Sequence, residues 1–193
     1  GKSMQEAVPV GKGCMIAVLG FHYDELCKLL DSFDKRDGVC DIANDNAQGQ
    51  IILSGDLETV ASFQKVLKEK KIKVIPLKVS APFHCALMRS AAKKMEDKIN
   101  KINFKKPSTD IISNVTAEAE NNPENIKRLL VEQIYSPVRW RESMINISEN
   151  NVSNFIEIGP GKVLSGMIKR TINNANCFPI NTIADIKNLH DKF

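Results

Sequence analysis

His84 stands in the run Val79-Ser80-Ala81-Pro82-Phe83-His84-Cys85-Ala86-Leu87-Met88, where an apolar strand-like stretch gives way to a helix-like one. Imidazole is the side chain whose ordinary pKa lets it take and return a proton near neutral pH. A junction held by a rigid scaffold is where such a group can meet a substrate. A histidine here can equally be a hydrogen-bonded structural residue, and the run alone leaves both readings open. Cys85 beside it raises a cysteine–histidine pair. Neighbours at a strand end, however, tend to point to opposite sides, which argues against direct contact. The five cysteines (Cys14, Cys27, Cys40, Cys85 and Cys177) contain no C-x-x-C pair and no metal-ligand spacing. The expectation is reduced thiols in a reducing compartment, and no metal site.

The elements that must position His84 read clearly over the first eighty residues. Cys14 to Gly20 is a short apolar strand, and His22 to Phe33 carries Leu26, Leu29, Leu30 and Phe33 at helical spacing. Val39 to Ala43 and Gln50 to Leu53 read as strands joined by a polar turn, Asn44-Asp45-Asn46-Ala47-Gln48-Gly49. A helix from Leu57 to about Lys70 and a strand from Val74 to Val79 complete β-α-β-β-α-β, the split order of a ferredoxin-like unit. Beyond His84, Ala86 to Ile102 reads as an amphipathic helix. Short apolar strands at Asp110–Ser113 and Phe155–Ile158 alternate with helices at about 123–134 and 141–149. Gly159-Pro160-Gly161, a helix from Lys162 to Ile172, a strand near Phe178–Ile180 and a last helix follow. Strands alternating with helices predict a parallel sheet.

Two or three short strands make a poor parallel core, since each wants neighbours on both sides. Met4, Ala7 and Val8 also read as the end of a helix. The expectation is the C-terminal portion of a longer fold. Three segments are expected: residues 1–11 closing an N-terminal part, 12–80 forming the small ferredoxin-like subdomain, and 81–193 belonging to a larger subdomain. The 193 residues are 42% hydrophobic and 26% charged, which suits a globular chain of one large or two small domains. No apolar run approaches the roughly 18 residues of a membrane span. The net charge of +4, with Lys68, Lys70, Lys71 and Lys73 clustered, tilts weakly toward an anionic partner.

Five stretches in register resemble the malonyl-CoA:acyl carrier protein transacylases of fatty-acid synthesis. They are Met4-Gln5-Glu6-Ala7-Val8-Pro9, the turn Asn44-x-Asn46-x-x-Gly49-Gln50, Ser80 to Met88, Gln133-Ile134-Tyr135-Ser136-Pro137-Val138-Arg139-Trp140, and Glu157-Ile158-Gly159-Pro160-Gly161-Lys162-Val163-Leu164. The resemblance implies an α/β fold: a ferredoxin-like subdomain beside the C-terminal part of an α/β-hydrolase-like subdomain with a parallel sheet. It implies that His84 is the general base that activates a serine and later protonates the leaving thiol. The His84 ring would be oriented by the backbone carbonyl at Gln133 in place of the usual aspartate. Phe83 would crowd an α-methyl group and so favour malonyl, although it could also serve only to pack the subdomain junction. Asn46 and Met4 would line the substrate channel, with a plain turn role open for Asn46.

No G-H-S-x-G nucleophile elbow occurs in the chain. The arginine for the malonyl carboxylate and the oxyanion-hole glutamine are absent with it. The chain alone is therefore expected to be inactive, its partners being the N-terminal portion of the same enzyme, malonyl-CoA and acyl carrier protein. The chemistry calls for no cofactor. Competing readings are a non-catalytic carrier-protein-binding module, a cysteine hydrolase on Cys85, and an RNA-binding unit. The last would need stacking aromatics on strands that offer none.

Overall fold

Seven residues from Gly13 to Leu19 form β1, buried from Met15 to Val18, and a strand buried on both faces belongs at the centre of a sheet. In the computed structural model, which describes residues 2–190, it does so. Gly1 and residues 191–193, the outer ends of the first and last expected segments, lie outside the described residues. β2 (Cys40–Ala47), β3 (Gln50–Asp56) and β4 (Lys73–Pro76) join β1 in the order β2-β3-β1-β4, every pair antiparallel. With helices α2 (Tyr23–Asp31) and α3 (Leu57–Glu69) between strands, this is the ferredoxin-like arrangement.

The two faces of the sheet have different partners. Ile16, Val18, Ile51 and Leu53 pack under the helices against Leu26, Leu30, Val60, Phe63 and Leu67. Truncating the fully buried Phe63 to alanine would cost about 3–5 kcal/mol. Met15, Ala17, Ala43 and Ile52 project the other way, onto a cluster that includes Leu77 and Phe83. The sheet thus backs directly onto the segment that carries His84.

The second core gathers Val8, Met88, Ala91, Ala92 and Ile134, with Met4, Phe83, Leu87 and Tyr135 packed around them. It is built from α1 (Lys2–Ala7), a 3-10 turn (Ala86–Met88), α4 (Arg89–Ile99) and the end of α5 (Pro123–Glu132). Asn122 starts α5 by accepting from the amides of Glu124 and Asn125, and Pro123 occupies the first turn, where its missing N–H costs nothing. Between α4 and α5 lies the hairpin β5 (Ile111–Ile112) and β6 (Ala119–Glu120). α6 (Trp140–Glu149), β7 (Asn154–Ile158), α7 (Val163–Thr171), β8 (Asn176–Ile180) and α8 (Ile183–His190) complete the order. β7 and β8 pair in parallel. Among the described residues no helix is long and apolar enough to cross a membrane.

Three local expectations are corrected. The polar turn over 44–49 shrinks to Gln48–Gly49, with Gly49 at φ +70°, because β2 runs on to Ala47. Asn44 and Asp45 are held in that strand by a bridge between Asn44 and Val138, so tertiary pairing overrides their poor strand propensity. The strand at Ile111–Ile112 does not enter the parallel sheet: Ala117, at φ +58°, turns the chain back and makes it half of an antiparallel hairpin. Finally, β4 ends at Pro76 rather than Val79, so His84 follows irregular chain, and the helix after it opens with the 3-10 turn.

Candidate active site

His84 occupies the left-handed region at φ +58°, which costs a non-glycine L-residue roughly 1–2 kcal/mol. Such a conformation persists only when its surroundings impose it, and it gathers at functional sites. Neighbouring bonds supply the restraint. The Phe83 amide donates to the Ala81 carbonyl at 3.1 Å, and the Ala86 amide donates to Asp41 Oδ2 at 3.0 Å. The Cys85 thiol is turned away into the interior, where it donates to the Pro82 carbonyl at 3.2 Å. Burial pushes the Cys85 pKa up, so it is a poor nucleophile and no partner for the imidazole.

The ring of His84 is half-buried and its Nδ1 lies 2.9 Å from the backbone carbonyl of Gln133. A carbonyl can only accept, so Nδ1 carries the hydrogen and Nε2 keeps its lone pair. This is the tautomer a general base needs. Gln133 caps the end of α5, and its side-chain Nε2 donates to the Ser136 carbonyl at 3.1 Å, which folds the following loop under the ring. Desolvation lowers the His84 pKa below its ordinary 6.5, with the carbonyls of Gln133 and Ser136 pulling the other way. The orienting group is neutral, so the imidazole stays uncharged at neutral pH and ready to accept a proton.

Of the other sequence-derived candidates, Phe83 touches both the sheet face and the second core, and Met4 borders that same second core. His84, Gln133, Phe83 and Met4 therefore form one neighbourhood. Asn46 stands apart. It lies in β2 beside Asp45, half-buried, in a strand rather than in a turn, and shares none of the hydrogen bonds around His84.

Two supports were invisible in the sequence. Asp41 sits in β2, 45 residues from the amide it holds. The free edge of β2 is covered by Val138, whose amide donates to Ala43 O at 2.8 Å and whose carbonyl accepts from Asp45 N at 2.9 Å. No sequence signal marks the longer strand, since Asn44, Asp45 and Asn46 favour turns, and none names a partner that far away. Arg139 adds a third tie: its Nη1 reaches the carbonyls of Val115 and Thr116, each at 3.1 Å, and anchors the β5–β6 turn to the start of α6.

Comparison with known proteins agrees with this architecture. Residues 2–192 match the acyl transferase domain. The malonyl CoA-acyl carrier protein transacylase of Bacillus subtilis is 42% identical over 171 residues, covering 88% of this chain and 54% of that protein. The transacylase of Escherichia coli K12 is 36% identical, covering 94% and 59%. An acyl carrier protein S-malonyltransferase from Vibrio cholerae superposes with a TM-score of 0.93 at 35% identity, over 97% of this chain and 61% of that one. A malonyl-transacylase solved in complex with its type II PKS acyl-carrier protein gives 0.93 at 34% identity, over 100% and 62%. The chain thus spans between 54% and 62% of the length of these relatives. With its fold, its half-buried histidine and the match along nearly its whole length, the chain belongs to the acyl transferase domain family.

Proposed function

We propose that this chain provides the general-base half of a malonyl-CoA:acyl carrier protein transacylase acting in fatty-acid synthesis. The reading is carried by the bond between His84 Nδ1 and the Gln133 carbonyl, which leaves Nε2 as a proton acceptor. A serine from a segment outside these residues attacks the malonyl thioester while His84 Nε2 takes the hydroxyl proton. The proton passes to the CoA thiolate as it leaves, and a malonyl-seryl ester remains. The pantetheine thiol of acyl carrier protein then attacks this ester, again losing its proton to His84, and the serine is restored. No cofactor takes part. Phe83 narrows the acyl pocket against α-methyl groups, and Met4 and Asn46 line its approach. The basic surface receives CoA phosphates and the acidic carrier. Residues 1–11 and 81–193 belong to the large subdomain and 12–80 to the small one. The protein works in a reducing compartment, a bacterial cytoplasm or an organelle stroma.

The test is reconstitution. The chain alone should transfer no malonyl group from CoA to acyl carrier protein. Combined with a segment bearing a G-H-S-x-G serine, it should transfer malonyl, and His84→Ala in the same assembly should lower kcat at least about 100-fold. Full transfer by the His84→Ala assembly would overturn the assignment. Binding of carrier protein by an assembly that never transfers malonyl would favour a docking module instead.

A further inference from the structure

The bond between His84 and Gln133 has both of its ends fixed to one strand. On the Gln133 side, the loop runs five residues to Val138, which is zipped to the edge of β2 through Ala43 and Asp45. On the His84 side, the chain is caught two residues later, where the Ala86 amide donates to the Asp41 carboxylate at 3.0 Å. Asp41 and Ala43 lie two residues apart in β2, a strand whose Cys40 and Ala43 are fully buried and whose other edge is paired along β3. β2 is therefore the shared spacer between the two attachments, whereas the chain from Leu77 to Cys85 that delivers the histidine has no regular secondary structure.

We infer that Asp41 is a positioning residue: its carboxylate, acting through the Ala86 amide, holds the left-handed turn at His84 and so sets the ring against the Gln133 carbonyl. Three observations support this. A left-handed non-glycine residue needs restraint from outside its own turn, and besides the ring's own bond to Gln133 the Asp41 carboxylate supplies a long-range hydrogen bond to the backbone just after it. The bond is charge-assisted, which makes it about twice as strong as a neutral one. The other Asp41 oxygen faces Lys35 Nζ at 3.6 Å, and both side chains are about one-third exposed, so that ion pair is a weak surface contact. What Asp41 contributes is therefore the acceptor. The catalytic meaning of the clamp rests on the reading of His84 as a base, whereas the clamp itself is a property of this chain.

The experiment is a nitrogen-15 NMR titration of His84 in the full chain. It reads the tautomer and the pKa without requiring any turnover. In the wild type His84 should titrate below the ordinary imidazole value as the Nδ1–H tautomer. Asp41→Ala should replace that tautomer with a mixture rich in Nε2–H and free the ring into water, a gain in hydration that outweighs the lost carbonyl bond and raises its pKa toward the ordinary value. Asp41→Asn keeps an oxygen acceptor without the charge and should move the titration only part of the way toward Asp41→Ala, whereas Lys35→Ala should behave as wild type. Ala86→Pro breaks the same bond from the donor side and should reproduce the Asp41→Ala shift even where Asp41→Ala fails to fold. Ala86 opens the 3-10 turn and Cys85 before it is extended (φ −137°, ψ 172°), so proline is sterically acceptable there. A folded Asp41→Ala or Ala86→Pro chain with an unchanged His84 tautomer and pKa would overturn the inference. So would Asp41→Asn and Lys35→Ala both matching Asp41→Ala, which would make the charge rather than the acceptor decisive. Loss of transfer activity in a reconstituted enzyme with a normal His84 titration would instead count against the transacylase reading alone.

Discussion

Asp45 and Arg141, 96 positions apart, form a two-point ion pair: Arg141 Nε lies 3.1 Å from Oδ1 and 2.9 Å from Oδ2, and Nη2 lies 2.8 Å from Oδ2. The carboxylate side chain is 3% exposed and the guanidinium side chain 27%, with the Tyr23 ring 5.9 Å from the guanidinium carbon. The pair bolts α6 to β2 beside the Val138 bridge. Burial pushes the Asp45 pKa up, and Arg141 pulls it back only in part.

Arg141→Ala leaves that carboxylate buried and unpaired. Breaking such a pair from one side costs about 3–5 kcal/mol, and the partial exposure of Arg141 places this case near 3. Urea denaturation near pH 7 measures it. Asp45→Asn in the Arg141→Ala background should recover a large part of the loss, because an amide carries no charge to desolvate. A loss under about 1 kcal/mol for Arg141→Ala would mean that water reaches Asp45.

The lowered His84 pKa makes stability depend on pH in a defined direction. The unfolded imidazole takes its proton near 6.5, and the folded one only at lower pH, so between the two the unfolded state binds more protons. Stability from this group is complete above 6.5 and is lost as pH falls through the folded value. His84→Asn tolerates the left-handed backbone and cannot titrate. The stability difference between wild type and His84→Asn, measured from pH 7 down to 5, should therefore shrink on acidification. A difference that stays flat would contradict the buried, neutral imidazole. The acid limb of kcat/KM in the reconstituted enzyme should likewise lie below 6.5.

Gln133 meets the His84 ring through its main-chain carbonyl, which a substitution leaves in place. Its side-chain Oε1 is buried without a hydrogen-bond partner, so the amide is not a fully satisfied anchor. Gln133→Ala should keep the Nδ1–H tautomer of His84 and lower malonyl transfer by less than about ten-fold, against at least about 100-fold for His84→Ala. Equal losses would shift the orienting role to the side-chain amide.

The acyl-selectivity role proposed for Phe83 can be checked by substitution. In reconstituted enzyme, Phe83→Ala should raise the ratio of methylmalonyl to malonyl transfer by about ten-fold or more, the range that one methyl group commands in an apolar pocket. It should also lower the denaturation midpoint, since the ring packs on both clusters. A lower midpoint with unchanged selectivity would reduce Phe83 to a packing residue.

What could be read in the sequence follows from how local each signal is. The ferredoxin-like order was legible because Leu26, Leu30, Val60 and Phe63 repeat at helical spacing between apolar strands, and their burial follows that pattern. The expectation for His84 came from its motif, and the structure places its ring against the Gln133 carbonyl. The length of β2 was not, because Asn44, Asp45 and Asn46 are turn formers by propensity and become strand only when Val138 and Arg141 arrive from almost a hundred residues away. The β5–β6 hairpin was missed for a related reason: its return strand, Ala119–Glu120, is two residues long and has no apolar pattern to announce it. Asp41 escaped notice because a carboxylate accepting one distant amide leaves no periodic trace.

The path of β2 also bears on how this architecture can be rebuilt. Grafting the ferredoxin-like unit of another protein onto these residues would look like exchanging a remote ornament, since the unit carries no acid–base group of the site described. It would in fact import a new edge strand, with its own bulges in place of those between Ile42 and Asn44 and between Asp45 and Ala47. A chimaera should therefore be cut so that Cys40 to Ala47 travels with Val138 and Arg141, treating the strand and its borrowed partner as a single inherited piece.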